Sequence, residues 1–173
     1  MKRVCMLAIS LLAVMTVSAI ELPEIIGDNM MLQQNTSARL WGWAEKGHYV
    51  TVRTGWDNKS YTAQTDAEGR WEVSVQTPVA SFEQYSMTFS EYASAPKKNS
   101  KAVDEKTING VLAGEVWFCS GQSNMEMPLG GFWNCPTEGA NEAIAQSGKY
   151  RHAIRVATIE KVGADTPQKK VAG

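Results

Sequence analysis

Val116-Trp117-Phe118-Cys119-Ser120-Gly121-Gln122-Ser123-Asn124-Met125-Glu126-Met127-Pro128 is the stretch whose reading decides the second half of the chain. Val116 to Cys119 is a short apolar run between Gly114 and Gly121. Such a run, bounded by turn residues, reads as a strand buried on both faces, the kind found in parallel sheets. The residues from Ser123 onward can begin a helix, so the pattern is strand, tight turn, helix. That geometry lifts one side chain beyond the carboxyl end of the strand, where open α/β sheets place their sites. With Ser123 at the turn, its hydroxyl and its own backbone N–H face the same space, and one residue can act as nucleophile and as oxyanion donor. Ser123-Asn124-Met125-Glu126 also spells S-x-x-E, a capping box in which Ser123 satisfies an amide at the helix start. The tetrapeptide alone leaves both roles open.

The surrounding residues extend the same reading. Thr107 to Ala113 reads as a strand leading toward Val116. Leu129-Gly130-Gly131-Phe132-Trp133-Asn134-Cys135-Pro136 permits unusual backbone geometry and stands where a lid or acyl pocket could form. Glu138 to Gln146 is Ala-rich with its acidic residues early, as a helix start favours. Ile154 to Ile159 is then a second strand. Strand, helix, strand is the opening unit of a parallel α/β sheet with a right-handed crossover.

The first half follows a different period. Val50 and Val52 share a face, as do Tyr61, Ala63 and Thr65, and Trp71, Val73 and Val75 interleave with Glu72, Ser74 and Gln76. Tyr85, Met87 and Phe89 repeat the alternation, which is that of half-buried strands. Asp66-Ala67-Glu68-Gly69 places Asp first and Gly last, as a type I turn prefers. Short strands at this spacing predict an antiparallel β-sandwich. Trp41 and Trp43, two apart, share one face. Stacking on a sugar ring, packing in the sandwich core and packing on a neighbouring domain would each account for them. Tyr92 to Lys106 is polar and unpatterned, and reads as an exposed loop whose lysines are solvated. The sequons at Asn35 and Asn58 read as chance occurrences.

The amino-terminal end carries Lys2 and Arg3, an uncharged run from Val4 to Val17, and the small-residue signature Val17-Ser18-Ala19. This predicts a signal peptide over residues 1–19, cleaved after Ala19, and a secreted or periplasmic protein. The run is short for a membrane span, so no membrane attachment is expected after cleavage. Loss of Lys2 and Arg3 moves the formal charge from −1 to −3, and no basic field remains to favour nucleic acid. Of three cysteines, Cys119 and Cys135 stay in the mature chain. They could pair in an oxidising compartment, or Cys119 could be a packed thiol in its strand. Two cysteines and two histidines without ligand spacing predict neither metal nor cofactor.

Gly121 to Met125, preceded by Gly114-Glu115-Val116-Trp117 and followed by Glu126-Met127-Pro128, resembles the nucleophile block of the sialate O-acetylesterase family, within the SGNH (GDSL-like) hydrolases. Leu22 to Gln33, Trp41-Gly42-Trp43-Ala44 and Gly69-Arg70-Trp71 resemble the β-rich region that precedes the esterase domain there. Ser81 to Tyr85 departs from the Gly/Pro turn common in that family. The resemblance implies a β-sandwich module over 20–106 and, over 107–173, the start of an incomplete SGNH-type three-layer parallel-sheet domain. It implies Ser123 as nucleophile, with Gln122 and Asn124 shaping the turn or touching substrate, and an O-acetylated glycan such as a sialic acid as substrate. The D-x-x-H pattern that supplies the acid and base in that family is missing. His48 reads as a loop residue, His152 as a surface or core-edge residue, and Asp165-Thr166-Pro167-Gln168 has the Asp without the His. The chain therefore reads as the amino-terminal part of an esterase. Two rivals stand beside this reading. One is a non-catalytic glycan-binding β module with a vestigial esterase start; the other is a peptidase or lipase using the same serine. Oligomeric state is left open.

Overall fold

The computed structural model describes residues 19–166 and 168, so the expected signal peptide lies, but for Ala19, outside the described residues. Seven strands follow in order: β1 Met31–Gln33, β2 Ser37–Trp43, β3 Tyr49–Thr54, β4 Ser60–Gln64, β5 Arg70–Gln76, β6 Tyr85–Tyr92 and β7 Asp104–Gly114. Five form one sheet in the order β1-β7-β6-β3-β4, and β2 pairs with β5 in a second. Both sheets send their alternate residues into one core. Leu40, Trp71 and Val75 from the small sheet meet Val52, Met87 and Phe89 from the large one, and the Trp71 and Phe89 rings lie 5.9 Å apart. The sandwich reading holds with one amendment: β1 runs parallel to β7, so the large sheet is mixed.

Local chemistry fixes the turns. Asp66 Oδ1 accepts the N–H groups of Glu68 and Arg70 at 3.0 and 2.8 Å, and Gly69 N–H returns to the Asp66 carbonyl at 3.1 Å. Gly69 holds φ +75°, which explains Gly at the end of that turn. Both sequon asparagines occupy turns with positive φ, 48° at Asn35 and 57° at Asn58, a conformation Asn tolerates better than most residues. In β2 the buried residues are Leu40 and Gly42, so Trp41 and Trp43 stand half-buried on the alternate register.

The β7 strand changes where the module ends. The expected boundary at 106/107 falls inside it, and it bonds β6 through residues 104–111 and β1 through 112–114. Thr107 to Ala113 is thus a strand of the β module, and among the described residues it leads into no second parallel sheet. Between the pairs Met87–Ile108 and Tyr85–Val111 the register shifts, because β7 spends one residue more than β6 there. Gly110, at φ +70°, absorbs the bulge. A Cβ at Gly110 would strike Asn29 Oδ1, while Asn29 N–H is held by the Asn109 carbonyl at 2.8 Å. Gly110→Ala is expected to destabilise the module by about 1–3 kcal/mol through strain at that conformation, read as a lower urea midpoint with unchanged m value.

After Gly114 the elements are short: α1 Ser123–Glu126, β8 Gly131–Phe132, β9 Cys135–Pro136, α2 Ala140–Gln146 and a 3₁₀ turn at Ser147–Tyr150. The helix expected from Glu138 is present from Ala140. The two parallel strands expected at Val116–Cys119 and Ile154–Ile159 are not formed. Val116, Trp117 and Phe118 are 52, 82 and 92 % exposed. An apolar run becomes a central strand only when a partner covers each edge and each face, and no described residues do so here. Among the described residues the three-layer arrangement is not formed.

Candidate functional site

The path from the β module to Ser123 begins at a clamp. Gln34 N–H donates to the Gly114 carbonyl at 2.9 Å. Gln33 Oε1 accepts the Val116 N–H at 2.8 Å, and Gln33 Nε2 donates to Glu115 Oε2 at 3.1 Å. Gln34 Nε2 donates to Glu115 Oε1 at 2.7 Å, while Gln34 Oε1 accepts the Ala80 N–H at 2.8 Å. The Gln34 and then the Gln33 amide hold the Glu115 carboxyl below its ordinary range, since both donate to its charged form. Two adjacent side chains thus grip the two residues by which the chain leaves β7. Gln33→Ala is expected to speed hydrogen exchange at the Val116 amide several-fold, on the order of one lost hydrogen bond of about 1 kcal/mol. Exchange at Val111 in mid-β7 should stay as it was; both are read by amide-resolved NMR.

Beyond the clamp, residues 117–122 run exposed to α1. Gln122 is the residue before the first turn, with φ −110° and ψ −133°, and its carbonyl accepts the Met125 N–H at 3.0 Å. Ser123 is therefore the first helical residue, one place too late to cap, and no side-chain cap bond forms. The S-x-x-E box is out of register by one residue. Glu126 instead pairs with Lys161, tying α1 to the irregular segment after Ile154. Gln122, Ser123 and Asn124 are all exposed, and among the described residues the Ser123 hydroxyl takes part in none of the side-chain hydrogen bonds. The helix start brings the three predicted site residues together without committing the serine oxygen elsewhere.

No base reaches it. His48 sits in the loop before β3 with Nδ1 2.7 Å from Glu91 Oε1, so it belongs to the β module. His152 is exposed beside Arg151, whose Nε lies 3.3 Å from its Nε2. Cys119 and Cys135 are both unpaired and exposed, so neither the disulfide nor the packed thiol is formed. The 129–136 loop is a two-strand hairpin with Trp133 at its tip, 95 % exposed. A groove lined by Ala143, Ser147, Tyr150 and Ile154 lies along α2 and includes none of the three site residues. Gln33 and Gln34 were not visible as site-supporting residues, because nothing in sequence links positions more than eighty residues apart.

No protein-family model matches this sequence. A human sialate O-acetylesterase is 29 % identical over 147 residues, covering 81 % of this chain and 25 % of that protein. The sialate O-acetylesterase of Pongo abelii is 31 % identical over the same length and shares. Among solved structures, a carbohydrate acetylesterase from Xanthomonas citri matches 73 % of this chain and 25 % of its own, with TM-score 0.57 and 27 % identity. The chain spans about a quarter of the length of the curated relatives it matches.

Proposed function

This chain belongs to the sialate O-acetylesterase family, and from that premise we propose that it supplies the nucleophile of a secreted serine esterase that removes O-acetyl groups from glycans. The carrying observation is the uncommitted, exposed Ser123 at the first residue of α1. In the proposed reaction a His deprotonates Ser123, the serine oxygen attacks the acetyl carbonyl, and the Ser123 N–H helps hold the oxyanion. The intermediate collapses with loss of the sugar oxygen, which takes the proton from the histidinium and leaves as a free hydroxyl. Water, deprotonated by the same His, then hydrolyses the acetyl-serine, and acetate departs as the Ser123 hydroxyl is restored. Gln122 and Asn124, flanking the serine, shape the turn and face the acetylated sugar. Similarity to sialate and carbohydrate acetylesterases supports sialic acid or another acetylated carbohydrate as the substrate class.

The acid and base belong, on this reading, to the three-quarters of the relatives' length that this chain does not span, with residues 1–19 as a signal for export. Reading the coding sequence past Gly173 tests that directly: an in-frame D-x-x-H is expected, and a stop codon without one contradicts it. A serine lacking its base loses on the order of 10⁴ in rate. The 173 residues alone are therefore expected to hydrolyse p-nitrophenyl acetate no faster than their Ser123→Ala variant, and robust Ser123-dependent turnover would overturn this part of the proposal.

A further inference from the structure

Among the described residues, Ile20 is the first seated in the β module. Its side chain is 5 % exposed within the core, whereas Ala19 before it is exposed. The Ile20 nitrogen donates to Asp104 Oδ2 at 2.8 Å, and the next residue, Glu21, exchanges two backbone hydrogen bonds with Trp43. Asp104 opens β7 directly opposite Glu91 of β6. Glu91 is 1 % exposed, so two carboxylates face each other across neighbouring strands, one of them buried. Like charges in that relation repel, and a buried carboxylate needs donors or a counter-charge. Glu91 Oε1 has the Glu45 N–H at 3.1 Å and His48 Nδ1 at 2.7 Å, while its Oε2 has no partner. Among the described residues, no Lys or Arg pairs with Asp104 or Glu91.

The missing positive charge is one cleavage away. We propose that hydrolysis of the Ala19–Ile20 peptide bond makes the Ile20 nitrogen an α-ammonium that docks on Asp104 and locks the amino-terminal edge of the β module. Water adds across the bond: Ala19 departs with the new carboxylate, and the Ile20 nitrogen takes up protons to become –NH₃⁺. The co-reactants are water and a signal peptidase that reads small residues such as those of Val17-Ser18-Ala19. The single amide donor becomes three donors carrying a full charge, and a charge-assisted bond to a carboxylate is about twice as strong as a neutral one. Processing then completes the folded module.

The proposal rests on the export reading, and the experiment separates the two. Amino-terminal sequencing of the exported protein checks the cut: Ile20 as first residue is expected, and any other first residue overturns the proposal. Docking is checked on the mature chain made directly with a free Ile20 terminus, compared with the same chain bearing a Gly-Ser extension, an N-acetyl cap, or Asp104→Asn. At pH 7 the free terminus is expected to lower the unfolding constant about tenfold relative to the extended and acetylated forms, as one charge-assisted bond predicts. In the Asp104→Asn background that difference should vanish. The ammonium is favoured beside a carboxylate, so its advantage is present at pH 7 and fades as pH rises through and above the ordinary α-amino range of about 7.7–8.0. Asp104, Glu91, His48, Glu45 and Glu21 are present in the free and acetylated forms alike, so the comparison is made at about pH 7 and above, where the α-amino group is the group that differs between the two. Equal urea midpoints for free and extended termini, or a difference that survives Asp104→Asn, would overturn the docking.

Discussion

Ser123→Ala is expected to lower kcat on p-nitrophenyl acetate by about four powers of ten in a hybrid in which this chain replaces the matched quarter of the Xanthomonas citri carbohydrate acetylesterase. On the proposed mechanism, the remainder of that enzyme is the source of the acid and base that the described residues do not bring to Ser123. The effect should fall on kcat, because the serine oxygen forms the bond that defines the transition state and contributes little to ground-state binding. Ser120→Ala, three residues earlier in the same exposed stretch, is expected to leave kcat within a few-fold, since only Ser123 begins α1. A hybrid whose turnover survives Ser123→Ala would remove this serine from the chemistry.

Trp71→Ala is expected to cost the β module about 3–5 kcal/mol. Trp71 is 1 % exposed, packs on Phe89 with ring centroids 5.9 Å apart, and covers the bare face of Gly42 across the β2–β5 pair. Truncation leaves a cavity between two sheets whose backbones are pinned by their ladders and cannot close on it. Trp71→Phe separates cavity from chemistry. The Trp71 Nε1 is buried without a partner among the described residues, and its removal relieves an unmet desolvation of about 1–3 kcal/mol while a ring remains. The Phe variant should therefore retain most of the stability the Ala variant loses, both measured by urea unfolding followed by circular dichroism.

The β module was legible because its information is local. Period-two alternation placed Val50, Val52, Trp71, Val73 and Val75 inward, and the Asp66 to Gly69 turn carries its geometry in four residues. Its far limit was not, since an apolar strand such as Thr107–Ala113 fits an antiparallel edge as well as a new sheet; the pairing with Tyr85–Tyr92 that settles it lies in another part of the chain. Val116–Cys119 and Ile154–Ile159 read as strands on a pattern that states what a segment prefers, whereas a place in a parallel sheet also requires neighbours. At Ser123 the motif gave the helix start to within one residue, and that one residue decides whether the hydroxyl caps or stays open. The Gln33–Gln34 clamp and the Asp104–Glu91 pair join positions that only folding brings together.

The claim on which the rest depends is that Ser123 performs the attack. Treating the active hybrid with a fluorophosphonate and mapping the adduct by peptide mass spectrometry tests it most directly. A single adduct on Ser123 is expected, with activity lost in proportion to labelling and no adduct in Ser123→Ala. An adduct on Ser120 or on any other residue, with Ser123 unmodified as activity disappears, would contradict it.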